Sequence, residues 1–231
     1  MLFLFDDGKE HFNYRIIRKN RLKNIYIRIV NDTAIISANK RVKEKYLHDF
    51  LLSKSNWVIK HIKKVDQKPK LDDADAYIYL LGKKRKVTIN IASEIKENIL
   101  EVLDKKAIFH ISSKPNHDML IKLRNEYYKR IIPAYTEPII EKYSSIMNLN
   151  PNKISYRSMK SRWGSCSSVD NISLNTALMM LPCEIMSYVI LHELSHIVHK
   201  NHSSNFWEYL GKYMPEYKQN KIELRKYEIF L

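Results

Sequence analysis

Only two cysteines, Cys166 and Cys183, occur among 231 residues, and neither belongs to a C-x-x-C pair. That scarcity excludes a disulfide framework and an all-cysteine zinc site, and it fits a reducing compartment. No run of about 18 uncharged apolar residues is present, so no segment reads as a membrane span. The opening Met1 to Phe5 stretch is short and has neither a basic lead nor a small-residue cleavage site, from which a cytoplasmic protein is expected. There is no low-complexity tail and no visible internal repeat. Acidic residues are the other shortage: 25 Asp and Glu face 40 Lys and Arg, for a formal charge of +15 and a pI near 9.6. Eleven of those fifteen excess charges lie before residue 116. Such a field favours polyanions, nucleic acid among them, although a lysine-rich composition bias produces the same number.

What is present suffices for a globular α+β protein, since 45% of residues are apolar. The first part is β-rich. Asn24 to Val30, the turn pair Asn31-Asp32 and Thr33 to Ser37 read as a hairpin, and Tyr77 to Leu81, Lys86 to Ile91, Ile99 to Leu103 and Ala107 to Ile111 are further short apolar runs, with a turn at Gly82-Lys83. One helix interrupts them at about Val42 to Lys64, where Tyr46, Phe50, Trp57, Ile59 and Ile62 can form an apolar face. After Pro115 the period becomes helical, through Leu120, Leu123, Tyr127, Ile131 and Ile132 and on past Pro133 and Pro138. A domain boundary is placed there, giving a basic region over 1–115 and a second domain over 116–231. Two strands follow, Ile154 to Ser158 and Asn171 to Asn175, joined by a loop that holds Ser161 to Cys166.

Chemistry concentrates in one helix. Pro182 suits its first turn and Glu184 its positive end, and Ile185 to Val198 is apolar nearly all round, which predicts burial. Inside it, His192-Glu-Leu-Ser-His196 places two imidazoles one turn apart, their α-carbons about 6 Å apart along the axis, so both can reach one ion. Glu193 is offset by one residue, beside such an ion, where it can take a proton from a water. Two histidines and a glutamate in a buried helix are costly unless a metal or hydrogen-bond partners satisfy them. A catalytic zinc needs a third protein ligand, and two candidates compete. His199 shares the stripe but lies about 10 Å from His192 along a continuous helix. His202 can return to the metal if the helix ends near Lys200-Asn201, with Asn201 as a left-handed cap and Ser203 or Ser204 capping a next helix that bears Phe206, Trp207, Leu210 and Tyr213.

The series Arg162-Trp-Gly-Ser-Cys166, Ile172-Ser-Leu-Asn175, His192 to His196, His202-Ser203, Phe206-Trp207 and Met214-Pro215 resembles the YgjP-like metallopeptidase family, relatives of the SprT-like zinc proteases. Trp57 and the Leu81-Gly82-Lys83 turn resemble that family's N-terminal half. The resemblance implies a zincin-like domain, Zn2+ held by His192, His196 and His202, Glu193 as general base, and a peptide or protein substrate. The glycine position of metzincins is filled here by His199, which argues against their turn. Because zincins bind extended peptides along an edge strand, Asn171 to Asn175 becomes the candidate, with Arg162, Asn171, Ser173 and Asn175 as substrate contacts. Met214 is weighed as a floor under the metal against ordinary core, and Cys166 as a ligand in an inhibited state against a packed thiol. Two further readings stay open: a nucleic-acid-associated protease docking through the basic N-terminal region, and a nucleic-acid-binding module with a structural zinc.

Overall fold

The computed structural model describes residues 2–6, 8, 10–30, 33–66, 71 and 76–227, and the expected turn pair Asn31-Asp32 lies outside them. The fold is mixed α+β, with three sheets and five α-helices among the described residues. No helix among the described residues is long and apolar enough to cross a membrane. The chain divides into two compact units, Met1–Lys68 and Pro69–Leu231. The boundary expected at 115 falls inside the second, between a strand and a helix.

In the first unit, β1 (Phe3–Asp6), β2 (His11–Lys19), β3 (Tyr26–Val30) and β4 (Thr33–Asn39) form one sheet in the order β1-β2-β4-β3, followed by α1 (Glu44–Asp66). Alternation along β4 buries Ala34, Ile36 and Ala38, and these pack with Phe5, Phe12, Leu47, Leu51 and Val58. The inward face of α1 is therefore Leu47, Leu51 and Val58, at i, i+4 and i+11, while Tyr46 and Trp57 are exposed, contrary to expectation.

The second unit opens with β5 (Tyr77–Leu80), β6 (Lys83–Ile91), β7 (Ile99–Val102) and β8 (Lys106–Ile111) in the order β5-β6-β8-β7, followed by α2 (His117–Met147). Both four-stranded sheets have a parallel central pair flanked by antiparallel strands, and a long helix follows each. This is an internal repeat of topology that the sequence does not display. In-out alternation records which face is buried, but not which strand pairs with which.

α2 runs unbroken through Pro133 and Pro138, from an Asn116 cap that accepts from the Met119 N–H to a left-handed Asn148 (φ 52°, ψ 51°). Its first half covers the β5–β8 sheet through Leu120 and Leu123, and the rest lines the larger core with Tyr128, Ile132 and Ile140. The Tyr128 hydroxyl donates to the Tyr79 carbonyl and ties α2 to β5. The β5–β6 turn docks on the 3-10 segment Thr176–Met180: Leu81 N–H donates to Met179 O (2.8 Å) and Gly82 N–H to Met180 O (3.1 Å). Gly82 has φ +77°, and a β-carbon on it would fall 2.7 Å from the Pro182 ring, so only glycine lets this turn meet the start of the next helix. Residues 76–111 thus belong with the C-terminal half.

A third sheet, β10-β11-β9, is built from β9 (Lys153–Arg157), β10 (Gly164–Cys166) and β11 (Asn171–Asn175). β11 is the central strand, parallel to β9 and antiparallel to β10. Part of the expected loop before Cys166 is thus the edge strand. α3 (Cys183–Val198), α4 (Ser204–Tyr213) and α5 (Tyr217–Arg225) complete the unit.

Candidate metal centre

α3 starts immediately after Pro182, which occupies the cap position rather than the first turn, and its carbonyl accepts from Met186 N–H at 2.9 Å. Ile185, Met186, Tyr188 to Leu191, Leu194 and Ser195 are all buried, so the helix is held on nearly every side. This setting carries Glu193 into the interior with only 6% of its surface exposed.

The helix ends at His199, which is extended (φ −123°, ψ 101°), and not at a left-handed Asn201, because among the described residues only Leu81, Asn148 and Asp170 join Gly8 and Gly82 at positive φ. The freed His199 carbonyl accepts from His196 Nδ1 at 3.0 Å. That bond puts the His196 proton on Nδ1 and leaves Nε2 with its lone pair free. The His199 ring lies edge-on to Tyr209, centroids 5.4 Å apart, away from the motif. The bend instead returns His202, whose Nε2 is 2.9 Å from His192 Nε2. One ring nitrogen from each of His192, His196 and His202 lies within 4.8 Å of the others.

Sequence places Phe206 in a helical stripe and in the family resemblance, with no role at the site, yet its fully buried ring lies 4.7 to 4.9 Å, centroid to centroid, from all three imidazoles. It forms the floor considered for Met214. Met214 is a core residue whose sulfur accepts from Asn220 Nδ2 at 3.3 Å. A column of flat groups flanks His202: its ring stacks on Trp207 at 5.5 Å and 19°, Trp207 stacks on Tyr217 at 5.6 Å and 14°, and Lys221 Nζ sits 3.9 Å from the Trp207 centroid.

Burial, with the neighbouring His196 and His202, pushes the His192 pKa down to about 3. Burial also lowers that of His196. Both rings are therefore neutral at pH 7, the form that binds metals. The Glu193 carboxyl is pushed up to about 8 by burial, an effect the Arg162 charge partly offsets.

These residues fit a divalent ion. Tetrahedral ligands at about 2.05 Å stand about 3.3 Å apart, so the 2.9 Å between the two Nε2 atoms needs to open only slightly. Glu193 is not in the converging group, and among the described residues no fourth His, Cys, Asp or Glu joins it, which leaves one coordination position open.

β10 passes directly beside the site. A β-carbon built on Gly164 would fall 2.6 Å from Glu193 Oε1, 2.7 Å from Cγ and 2.8 Å from Cδ. The edge position expected of Asn171 to Asn175 is thus taken by Gly164 to Cys166. Two of the three side chains proposed on β11 are engaged elsewhere. Asn175 is 1% exposed, and its Nδ2 donates to Met159 O and Arg162 O, both at 2.8 Å. Ser173 Oγ bonds Ser155 Oγ at 2.9 Å on the neighbouring strand, and Asn171 stands opposite Lys153 in the parallel ladder. Arg162 is exposed near Glu193, whereas Cys166 is half-buried with its thiol pKa raised by burial and is not in the converging group.

A family model described as YgjP-like, metallopeptidase domain, matches residues 23–227. No curated protein matches. Among solved structures, a metallopeptidase zymogen of Pyrococcus abyssi, abylysin, is 27% identical over 39% of this chain and 92% of its own, with a TM-score of 0.37.

Proposed function

The chain belongs to the YgjP-like metallopeptidase family, and on that premise we propose that it is a zinc-dependent peptidase with a zincin-like site built on α3. The observation that carries the proposal is the convergence of His192, His196 and His202 around one open position, with buried Glu193 beside it.

His192, His196 and His202 would hold the ion, and three imidazole nitrogens around an open position favour zinc. Bound there, a divalent ion would supply Lewis acidity to the scissile carbonyl and to the attacking water. Glu193, held as a carboxylate despite its burial by the positive charge of the ion, takes the proton of the attacking water, keeps it out of bulk solvent, and delivers it to the amine nitrogen as the C–N bond breaks. Gly164 makes room for that carboxylate, and the free edge of β10 offers main-chain groups to an extended peptide. All of these residues lie within 116–231, which we propose as the catalytic part of the chain.

The test is Glu193→Gln. Zinc content should stay at the wild-type level while cleavage of an unfolded protein falls by about 10²- to 10⁴-fold, the range of a positioned general base. Equal cleavage by both proteins would overturn the mechanism.

A further inference from the structure

We infer that Arg162 is a subsite for a substrate carboxylate, so that the peptidase prefers an acidic group a short step from the bond it cleaves. The inference rests on the peptidase reading above and adds a substrate class to it.

Arg157-Ser-Met-Lys-Ser-Arg162 connects β9 to the edge strand β10, and this exposed connection is not loose. Buried Asn175 clamps it from beneath, through Met159 O and Arg162 O at 2.8 Å each, and it accepts from Met159 N–H at 3.3 Å. The next carbonyl, Trp163 O, accepts from Asn175 N–H at 2.8 Å. The backbone of Arg162 is therefore fixed, and two residues later Gly164 touches Glu193. Two residues of extended chain span about 7 Å, which sets the stride between the catalytic carboxylate and the arginine along the strand.

The guanidinium charge reaches Glu193, but no described partner holds the group in place. Among the described residues it enters no ion pair and makes no hydrogen bond. Beyond the other end of β10, by contrast, Lys200 is paired with Asp170. β10 is paired only on its β11 side, so a peptide can lie along its outer edge. A peptide in that position carries its scissile bond past Glu193 and a side chain or chain end past Arg162. The planar fork of a guanidinium matches a carboxylate with two parallel hydrogen bonds, and a fixed backbone leaves only the side chain to be ordered on binding. The carboxylate can come from an Asp or Glu side chain or from the peptide C-terminus.

The experiment uses the full-length zinc-loaded protein and one cleavable peptide in which Asp, and separately Asn, is scanned through the four positions on either side of the cleaved bond. Each peptide is made with a free and with an amidated C-terminus. Wild type should show one position, or the free C-terminus, at which the anionic form raises kcat/KM by about three- to tenfold, mainly through KM, with the advantage shrinking in high salt. Arg162→Gln should bring that ratio to one, Arg162→Lys should keep part of it, and Arg162→Glu should favour Lys at the same position. Arg157→Gln, which removes the same charge from the other end of the connection, should leave the ratio at the wild-type value. Cleavage indifferent to every anionic group overturns the subsite while leaving the peptidase reading intact, as does an equal loss of the ratio in Arg157→Gln. Absence of cleavage of any peptide or unfolded protein overturns both.

Discussion

Replacing Gly164 by alanine adds one methyl group at the point where β10 meets Glu193. Three Glu193 atoms would stand 2.6, 2.7 and 2.8 Å from it, whereas ordinary carbon contacts begin near 3.4 Å, so a gap of about 0.7 Å has to open. The strand cannot retreat easily, because Gly164 pairs with Leu174 on β11 and the Trp163 carbonyl is bonded to Asn175 N–H. The helix cannot either, because α3 is buried along most of its length. The Glu193 side chain has to give, and a catalytic group displaced by close to 1 Å costs on the order of 10²-fold in rate. The overpacking penalty should be about 1 to 3 kcal/mol. Gly164→Ala should thus retain zinc, lose only part of its thermal stability, and show kcat reduced about a hundredfold on an unfolded protein. Steady-state kinetics, metal analysis and thermal denaturation on the same preparation give the three readings. Wild-type kcat in a folded, zinc-loaded variant would refute the claim that this close approach sets the position of Glu193.

His202→Ala should purify with little zinc while His199→Ala keeps it, as measured by metal analysis, since the His199 ring faces Tyr209; the reverse result would return the third ligand to His199. Trp207→Ala removes the plane on which His202 rests and should weaken zinc binding about 10- to 100-fold in a chelator competition, with Trp207→Phe recovering part of the loss. In zinc-stripped protein, the folded pKa of Glu193 (about 8) exceeds its ordinary value of 4.5, so the unfolded chain releases a proton that the folded one retains. Stability should then fall as pH rises from 4.5 toward 8, by on the order of 4 kcal/mol, and Glu193→Gln should lack that decline in urea denaturation at pH 5 and pH 8. An equal decline in both proteins would mean that Glu193 is not the group responsible.

The geometry of the motif was legible because it is local. An H-E-x-x-H spacing on a helix puts His192 and His196 on one face and Glu193 beside them, whatever the rest of the chain does. Apolar composition along Ile185 to Val198 announced a buried helix for the same reason, and the strands β5 to β8 followed from short alternating runs. The returning His202 was within reach of the argument, but its device was not. A left-handed Asn201 was the expected cap, and the chain instead turns at an extended His199 whose carbonyl engages His196.

Position within the tertiary structure decided the remainder. Asn175 and Ser173 have the composition of a binding strand, yet β11 is the middle of its sheet, and its polar groups are consumed by neighbours whose approach no local pattern encodes. Gly164 gains its meaning from Glu193, 29 residues away, and Phe206 from three imidazoles that converge only when α3 and α4 pack. The repeated topology of the two four-stranded sheets is likewise a matter of pairing partners, which alternation leaves unspecified. Spacing along one helix is fixed by covalent geometry and hydrogen bonding within a few residues, so sequence alone determined the motif. Which strand lies at an edge, and which ring lies under the three imidazoles, depends on contacts between distant segments, and only the folded chain decides them.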